Sequence, residues 1–204
     1  MAMLENFEIT ETAENLQDNG LPAFVAFDET KEFAPNMEVQ AAEIRDVFFD
    51  MPELRYDDWK ELGCEERIAA LNQLEQKVAD IAMRVPLEVR SENLDENVKG
   101  YCDGKSLTIS EQLLLSDSEE CYAEVMNTLF HEGRHAYQNY NLSVERVEQN
   151  KELVDSWRVN QEILGYDNGD RMIFKDLGFY EYYSQPVEVD ARVFAETVCN
   201  TLGI

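Results

Sequence analysis

Both histidines of this 204-residue chain lie in one five-residue stretch, His131-Glu132-Gly133-Arg134-His135. On a helix, His131 and His135 project from one face a single turn apart, so they can bind the same metal ion. Glu132 then lies beside the ion, where its carboxylate can accept a proton from a water molecule. The spacing therefore predicts a Zn²⁺ site with Glu132 as general base, which is an arrangement suited to hydrolysis.

The residues around the two histidines favour a buried helix over a surface loop. From Glu119 to Tyr140 apolar side chains recur at helical spacing, with no Pro and no Gly except Gly133. Ser116–Ser118 supply N-cap candidates, and acidic residues in the first turn suit the helix dipole. Two surface histidines paired by chance are the alternative, which is weak because the chain has no other His.

A catalytic zinc site needs a third protein ligand and an open position for water. With no His left, a carboxylate must serve, unless a Cys does. Glu188 is the preferred candidate because Ala191 and Ala195 follow it on a narrow helical face that can pack against the histidine-bearing helix. Asp190 and Glu181 are the alternatives. Asp190 projects about 200° away from Glu188 around the helix axis, so the two cannot be equal ligands.

Two further residue types near these positions can support the chemistry. A phenol or a guanidinium can stabilise the oxyanion that develops during attack on a carbonyl. Tyr183 is the candidate catalytic phenol because it is the nearest tyrosine upstream of the Glu188 helix, and Tyr182 is second. Aromatic core packing is the alternative for both. Arg134 projects from a different face than the ligands and is expected to form a structural ion pair.

The composition excludes some classes of partner. The net charge of −26 argues against nucleic-acid or anionic-membrane binding, and it favours cationic partners or simply solubility. The sequence contains no apolar run of membrane-spanning length and no ordinary secretory signal. We therefore expect a cytoplasmic protein, or one exported without such a signal. The cysteines have no metal-binding spacing and are expected to be separate reduced thiols, at Cys64, Cys102, Cys121 and Cys199.

The order of predicted elements indicates the α+β class, mostly helical with a small antiparallel sheet or hairpin beside the histidine-bearing helix. Residues 1–35 form an acidic extension and residues 36–204 the domain. The predicted elements are helices at Asn36–Phe49, Glu65–Arg84, Val144–Leu164 and Pro186–Leu202, a strand at Leu87–Arg90, and hairpin strands at Val98–Cys102 and Lys105–Ser110 around Asp103-Gly104.

The His-Glu-x-x-His motif with the downstream Glu188 resembles the gluzincin class of zinc metallopeptidases. The wider pattern is Trp59, Glu66-Arg67, a Gly-Tyr hairpin, His-Glu-Gly-Arg-His-Ala-Tyr-Gln and Tyr-x-x-x-Pro-x-Glu-x-Asp-Ala. It is similar to small bacterial zincin-like domains of mobile-element-associated and toxin-like proteins, over roughly residues 55 to 200. The metzincin class is excluded because Gln138 and Asn141 stand at its Gly and His positions.

This resemblance implies a zincin-like fold, a Zn²⁺ cofactor and a polypeptide substrate. One departure concerns Arg192, which stands where thermolysin-type gluzincins have Asp four residues after the ligand Glu. Asp190 or another group must then orient a ligand histidine. An edge of the sheet near Lys105–Ser110 can bind an extended peptide by strand addition. The alternatives are an effector protease with one dedicated target, a non-catalytic binding scaffold, and hydrolysis of a non-peptide amide.

Overall fold

In the computed structural model, which describes residues 31–165 and 182–204, helices precede and follow a small sheet along the chain. This order confirms the α+β class. None of the described helices is long and apolar enough to cross a lipid bilayer. The elements are α1 (Met37–Phe49), a 3-10 turn (Pro52–Leu54), α2 (Tyr56–Trp59), α3 (Cys64–Ile81), β1 (Glu88–Glu92), β2 (Gly100–Cys102), β3 (Ser106–Ser110), α4 (Glu111–Leu114), α5 (Glu119–Ser143), α6 (Lys151–Arg158), a π-helix (Val159–Gly165) and α7 (Pro186–Leu202).

The 25-residue helix α5 is the predicted histidine-bearing helix, and it begins where the sequence indicates. The Ser118 side chain accepts a hydrogen bond of 3.1 Å from the Cys121 backbone N–H, which satisfies one free donor of the first turn. Twelve residues of α5 are buried, and they include Arg134, Gln138 and Asn141. A helix with polar side chains buried at these positions must supply each of them with partners.

The sheet is mixed, which corrects the predicted antiparallel sheet. Its strand order is β1-β3-β2, with β2 antiparallel and β1 parallel to β3. The predicted hairpin is confirmed, and Gly104 adopts a φ of 79° in its turn. All five residues of the central strand β3 are buried, so the expectation of an exposed edge near Lys105–Ser110 is wrong. Turn residues specify a hairpin locally, whereas strand order depends on which neighbour covers each edge.

The chain after α5 differs from the single helix predicted over Val144–Leu164. Residues 144–150 are not helical, because the Asn141 side chain accepts hydrogen bonds of 2.7 Å from the backbone N–H groups of both Val147 and Glu148. Helix α6 begins one residue after its N-cap Asn150, and the π-helix follows directly. Of the predicted extension, residues 1–30 lie outside the described residues, while Ala34 is buried and its N–H donates to the Val147 carbonyl.

The hydrophobic core lies between α1, α3, α5, α7 and the sheet, with a smaller cluster around Trp157 under α6. Arg67 on α3 is 2% exposed and contacts the segment that leads into α5. Its guanidinium donates to the carbonyls of Leu114 and Ser116 and to the Asp117 carboxylate. These contacts place α5, and therefore its histidines, against the sheet and α7.

Candidate metal centre

The side chains of His131, His135 and Glu188 converge between α5 and α7. The two Nε2 atoms lie 3.1 Å apart, and the Glu188 oxygens lie 3.4 Å from His131 Nε2 and 3.3 Å from His135 Nε2. The Glu188 side chain is 1% exposed, while the imidazoles of His131 and His135 are 17% and 14% exposed. These three residues could hold a metal ion. We call this set the ligand triangle.

The dimensions of the ligand triangle fit a tetrahedral ion bound to nitrogen and oxygen. With bonds of about 2.0–2.15 Å, tetrahedral ligand atoms lie about 3.3–3.5 Å apart. The two Nε2 atoms are 3.1 Å apart, while Glu188 approaches His131 through Oε2 at 3.4 Å and His135 through Oε1 at 3.3 Å. With one ligand atom taken from each residue, the three atoms lie within 4.8 Å of one another, close enough for one ion to be held by all three residues. The donor set and its spacing thus agree with the sequence-based ligand assignment.

Helix α7 brings Glu188 to the histidines, as its sequence predicts. Pro186 begins the helix at a position where its missing N–H costs no hydrogen bond. Ala191 and Ala195 are fully buried on the face toward the core, and their small side chains let α7 lie close to α5. Asp190 points elsewhere and contacts Arg134 instead of the ligand triangle. Glu181, the other alternative ligand, lies outside the described residues.

Gln138 orients His135, a role that the sequence did not reveal. His135 Nδ1 lies 2.9 Å from Gln138 Oε1. The Gln138 amide nitrogen donates to the Val187 carbonyl at 2.9 Å and to Asp190 Oδ2 at 2.8 Å. Both of those partners only accept hydrogen bonds, so the amide oxygen must face the imidazole. His135 Nδ1 therefore carries the proton, and in the neutral ring Nε2 presents its lone pair to the ligand triangle.

Arg134 forms a buried bidentate ion pair with Asp190. Its Nε and Nη2 donate to the two Asp190 oxygens at 2.8 and 3.1 Å. The guanidinium is 2% exposed and lies 4.5 to 5.5 Å from the ring centroids of Tyr137, Trp157 and Phe194. The expected structural ion pair of Arg134 is confirmed. Asp190 thus acts on His135 through Gln138 and not by direct contact.

Glu132 is half-buried, and its carboxylate accepts a hydrogen bond from the Cys102 backbone at the edge of the sheet. Burial raises the pKa of Glu132, and the nearby Glu188 raises it further, although both imidazoles and a hydrogen bond from the Cys102 backbone lower it. Burial lowers the pKa of His135, but its contact with Glu188 and the charges of Glu132 and Glu188 outweigh burial and raise that pKa to about 9. The same negative surroundings that favour a proton on His135 favour a metal cation between the ligands.

Cys102 does not belong to the group of described residues that could hold the metal ion, which consists of His131, His135 and Glu188. Burial raises the pKa of the Cys102 thiol to about 11. All four cysteines are free, as expected, but only Cys199 is fully buried.

Two glycines allow the surrounding elements to approach α5. A Cβ on Gly100 would lie 2.5 Å from the Thr108 carbonyl oxygen and 2.6 Å from Thr128 Cγ2, so only Gly lets β2 pass so close to α5. A Cβ on Gly133 would lie 3.3 Å from Arg84 Nη2. Arg84 forms a buried bidentate pair with Glu75 at 2.6 and 2.8 Å, directly behind the motif.

A cleft of about 1040 Å³ opens in front of the ligand triangle. Its walls are the edge strand β2, one face of α5, part of the π-helix and the start of α7. Tyr182 and Arg192 line it, whereas Tyr183 is not among its lining residues in the described parts of the chain. The Tyr183 ring is 44% exposed and lies against the Arg192 guanidinium, 3.4 Å from the ring centroid.

Comparison of the chain with protein-family models, curated proteins and solved structures finds no match.

Proposed function

We propose that the protein is a zinc-dependent peptidase of gluzincin type, in which His131, His135 and Glu188 bind Zn²⁺. The observation that supports this most is the ligand triangle, which lies beside the half-buried Glu132 in an open cleft. Two imidazole nitrogens and one carboxylate suit zinc, whereas calcium and magnesium prefer oxygen ligands alone. A purely structural site would not need a base next to its open position.

Each residue of the proposed site has a separate role in peptide hydrolysis. Zinc, when bound, supplies Lewis-acid activation of a water molecule and of the substrate carbonyl. Glu132 accepts the proton of the attacking water and passes it to the leaving amine. Gln138 keeps His135 in the tautomer that can bind the ion. Tyr182, which lines the cleft, is our candidate for donating a hydrogen bond to the carbonyl oxygen, and a catalytic role for Tyr183 stays a prediction.

The edge strand β2 supports a polypeptide as substrate. Among the described residues it pairs with β3 alone, and it lines the cleft in front of the ligand triangle. An extended peptide can add to such an edge through backbone hydrogen bonds, independently of its sequence. This strand replaces Lys105–Ser110 as the proposed docking edge, because β3 lies in the centre of the sheet.

The decisive experiment compares Glu132→Gln with Glu120→Gln, a matched change at an exposed position of the same helix. Each protein is loaded with zinc, its metal content is measured, and cleavage of a proteome-derived peptide library is followed by mass spectrometry. We expect both variants to bind one zinc, and only Glu132→Gln to lose turnover by at least about a hundredfold. Undiminished cleavage by zinc-loaded Glu132→Gln would refute the assignment of the base. Failure of the wild-type protein to bind zinc would refute the metal site.

A further inference from the structure

Two positively charged residues that line the cleft form no ion pair with a carboxylate of the described residues. Arg192 and Lys99 both line it, and neither lies within ion-pair distance of a carboxylate in the described parts of the chain. Other basic residues of the described chain also lack an ion pair, namely Arg55, Lys77, Lys105 and Arg146. Lys99 and Arg192 differ from these four because they line the cleft in front of the ligand triangle.

Arg192 lies one helical turn after the ligand Glu188 on the same face of α7. Its guanidinium rests on the Tyr183 ring and donates one hydrogen bond to the Tyr183 carbonyl. A guanidinium has five N–H donors in a planar fork, so donors remain for a ligand in the cleft. Because the ring and the carbonyl already hold the side chain, little conformational entropy is lost when it binds an anion.

We infer that Arg192 is a specificity-determining residue that binds a carboxylate of the peptide substrate, close to the scissile bond. The carboxylate belongs either to an Asp or Glu side chain or to the C-terminus of the peptide. This inference rests on the proposed peptidase function. It also differs from the expectation, drawn from the net charge alone, that the protein favours cationic partners.

Local charge outweighs net charge here because the two act over different distances. At physiological ionic strength the Debye length is about 8 Å, so charges spread over the surface are largely screened at the cleft. A guanidinium in direct contact with a carboxylate is screened much less, and it adds paired hydrogen bonds of defined geometry. The acidic surface slows the approach of an anionic peptide without determining what binds in the cleft.

The test uses synthetic peptides derived from the strongest cleavage site in the library, each made in carboxylate and neutral forms. One pair replaces Glu or Asp by Gln or Asn, and a second pair replaces the free C-terminus by an amide. Arg192→Gln is compared with Arg146→Gln, which makes the same charge change at another arginine stacked on an aromatic ring, Phe33, outside the cleft. Arg192→Lys keeps the charge but not the fork.

We expect Arg192→Gln to lower kcat/KM about ten- to a hundredfold for one carboxylate form and less than about twofold for its neutral counterpart. The pair that responds identifies whether the carboxylate is a side chain or the C-terminus. Arg146→Gln should leave both values unchanged, and Arg192→Lys should recover part of the preference. No carboxylate preference in the wild-type protein, or an equal loss for both forms in Arg192→Gln, would overturn the inference.

A binding measurement separates this inference from the proposed function. Zinc-loaded Glu132→Gln, with and without Arg192→Gln, is titrated with the fluorescent peptides and followed by anisotropy. Binding that depends on both the carboxylate and Arg192 supports the inference even if the wild-type protein cleaves nothing, which would refute peptidase activity alone. Binding that is equal for carboxylate and neutral peptides overturns the inference even if cleavage is efficient.

Discussion

Replacing Gln138 with Met removes the amide that orients His135 while keeping the length of the side chain. The three hydrogen bonds of Gln138 join His135, Asp190 and the Val187 carbonyl. Loss of a group that orients a metal-binding histidine weakens metal affinity about 10–100-fold, which is about 1.4–2.7 kcal/mol. At about 1 kcal/mol for each neutral bond and 1.5–3 for the bond to Asp190, the fold loses about 3–5 kcal/mol.

Zinc affinity is measured by competition with a chromophoric chelator, and the free energy of unfolding of the metal-free protein by urea titration. Asn72→Leu is the control, because the Asn72 amide also makes three hydrogen bonds, to Ile68 and Val89, away from the ligand triangle. We expect comparable destabilisation in both variants and weaker zinc binding in Gln138→Met alone. If Gln138→Met loses stability but binds zinc within about twofold of wild type, its amide supports the fold and does not tune the ligand.

Three further outcomes are expected. The pKa of His135 is about 9 in the metal-free fold against 6.5 unfolded, so its contribution to stability is complete below pH 6.5 and is lost as the pH rises through 9. Zinc must displace that proton, so the affinity of the protein for zinc should rise between pH 7 and 9, and calorimetry should detect proton release on binding. A zinc affinity that does not change with pH over this range would contradict this pKa. Gly100→Ala should lower the free energy of unfolding in urea by about 1–3 kcal/mol or more, because β2 must move away from α5 to make room for the new Cβ. Gly104→Ala is the control, because its Cβ would meet open space, and it should cost only the left-handed backbone strain of about 1–2 kcal/mol. Asp190→Ala leaves the buried Arg134 with only the more distant carboxylate of Glu148, at 3.9 Å, and should cost about 3–5 kcal/mol in urea unfolding. The double variant Arg134→Met/Asp190→Leu should recover much of that loss; if it does not, the pair is not the cause.

The elements predicted from sequence are those whose signals are local. The period of apolar residues and the candidate N-caps set the start of α5, Pro186 set the start of α7, and Asp103-Gly104 set the β2–β3 hairpin. The ligand assignment was equally local in origin, since helical spacing places His131 and His135 together and separates Glu188 from Asp190 around one axis.

The features that sequence reasoning missed depend on partners distant in the chain. The parallel pairing of β1 with β3 requires a crossover connection, and no turn residue in the sequence indicates its direction. Two of the three hydrogen bonds of Gln138 join it to residues about fifty positions away, so in the sequence its amide resembles that of any other polar residue of a helix. The need for Gly100 arises only where β2 meets Thr128 of α5. The break after Asn141 arises because its side chain competes with the helix for backbone N–H groups.

The motif leaves two residues unspecified between Glu132 and His135, and these two contact different elements of the fold. Gly133 rests on the Glu75–Arg84 pair at the end of α3, and Arg134 grips Asp190 on α7. The rotation of α5 about its own axis is therefore set by contacts on both flanks, and with it the direction in which the imidazoles point. A transplanted five-residue motif would lack these anchors, so a redesign of this centre on another scaffold would have to carry Glu75, Arg84, Gln138 and Asp190 along with it.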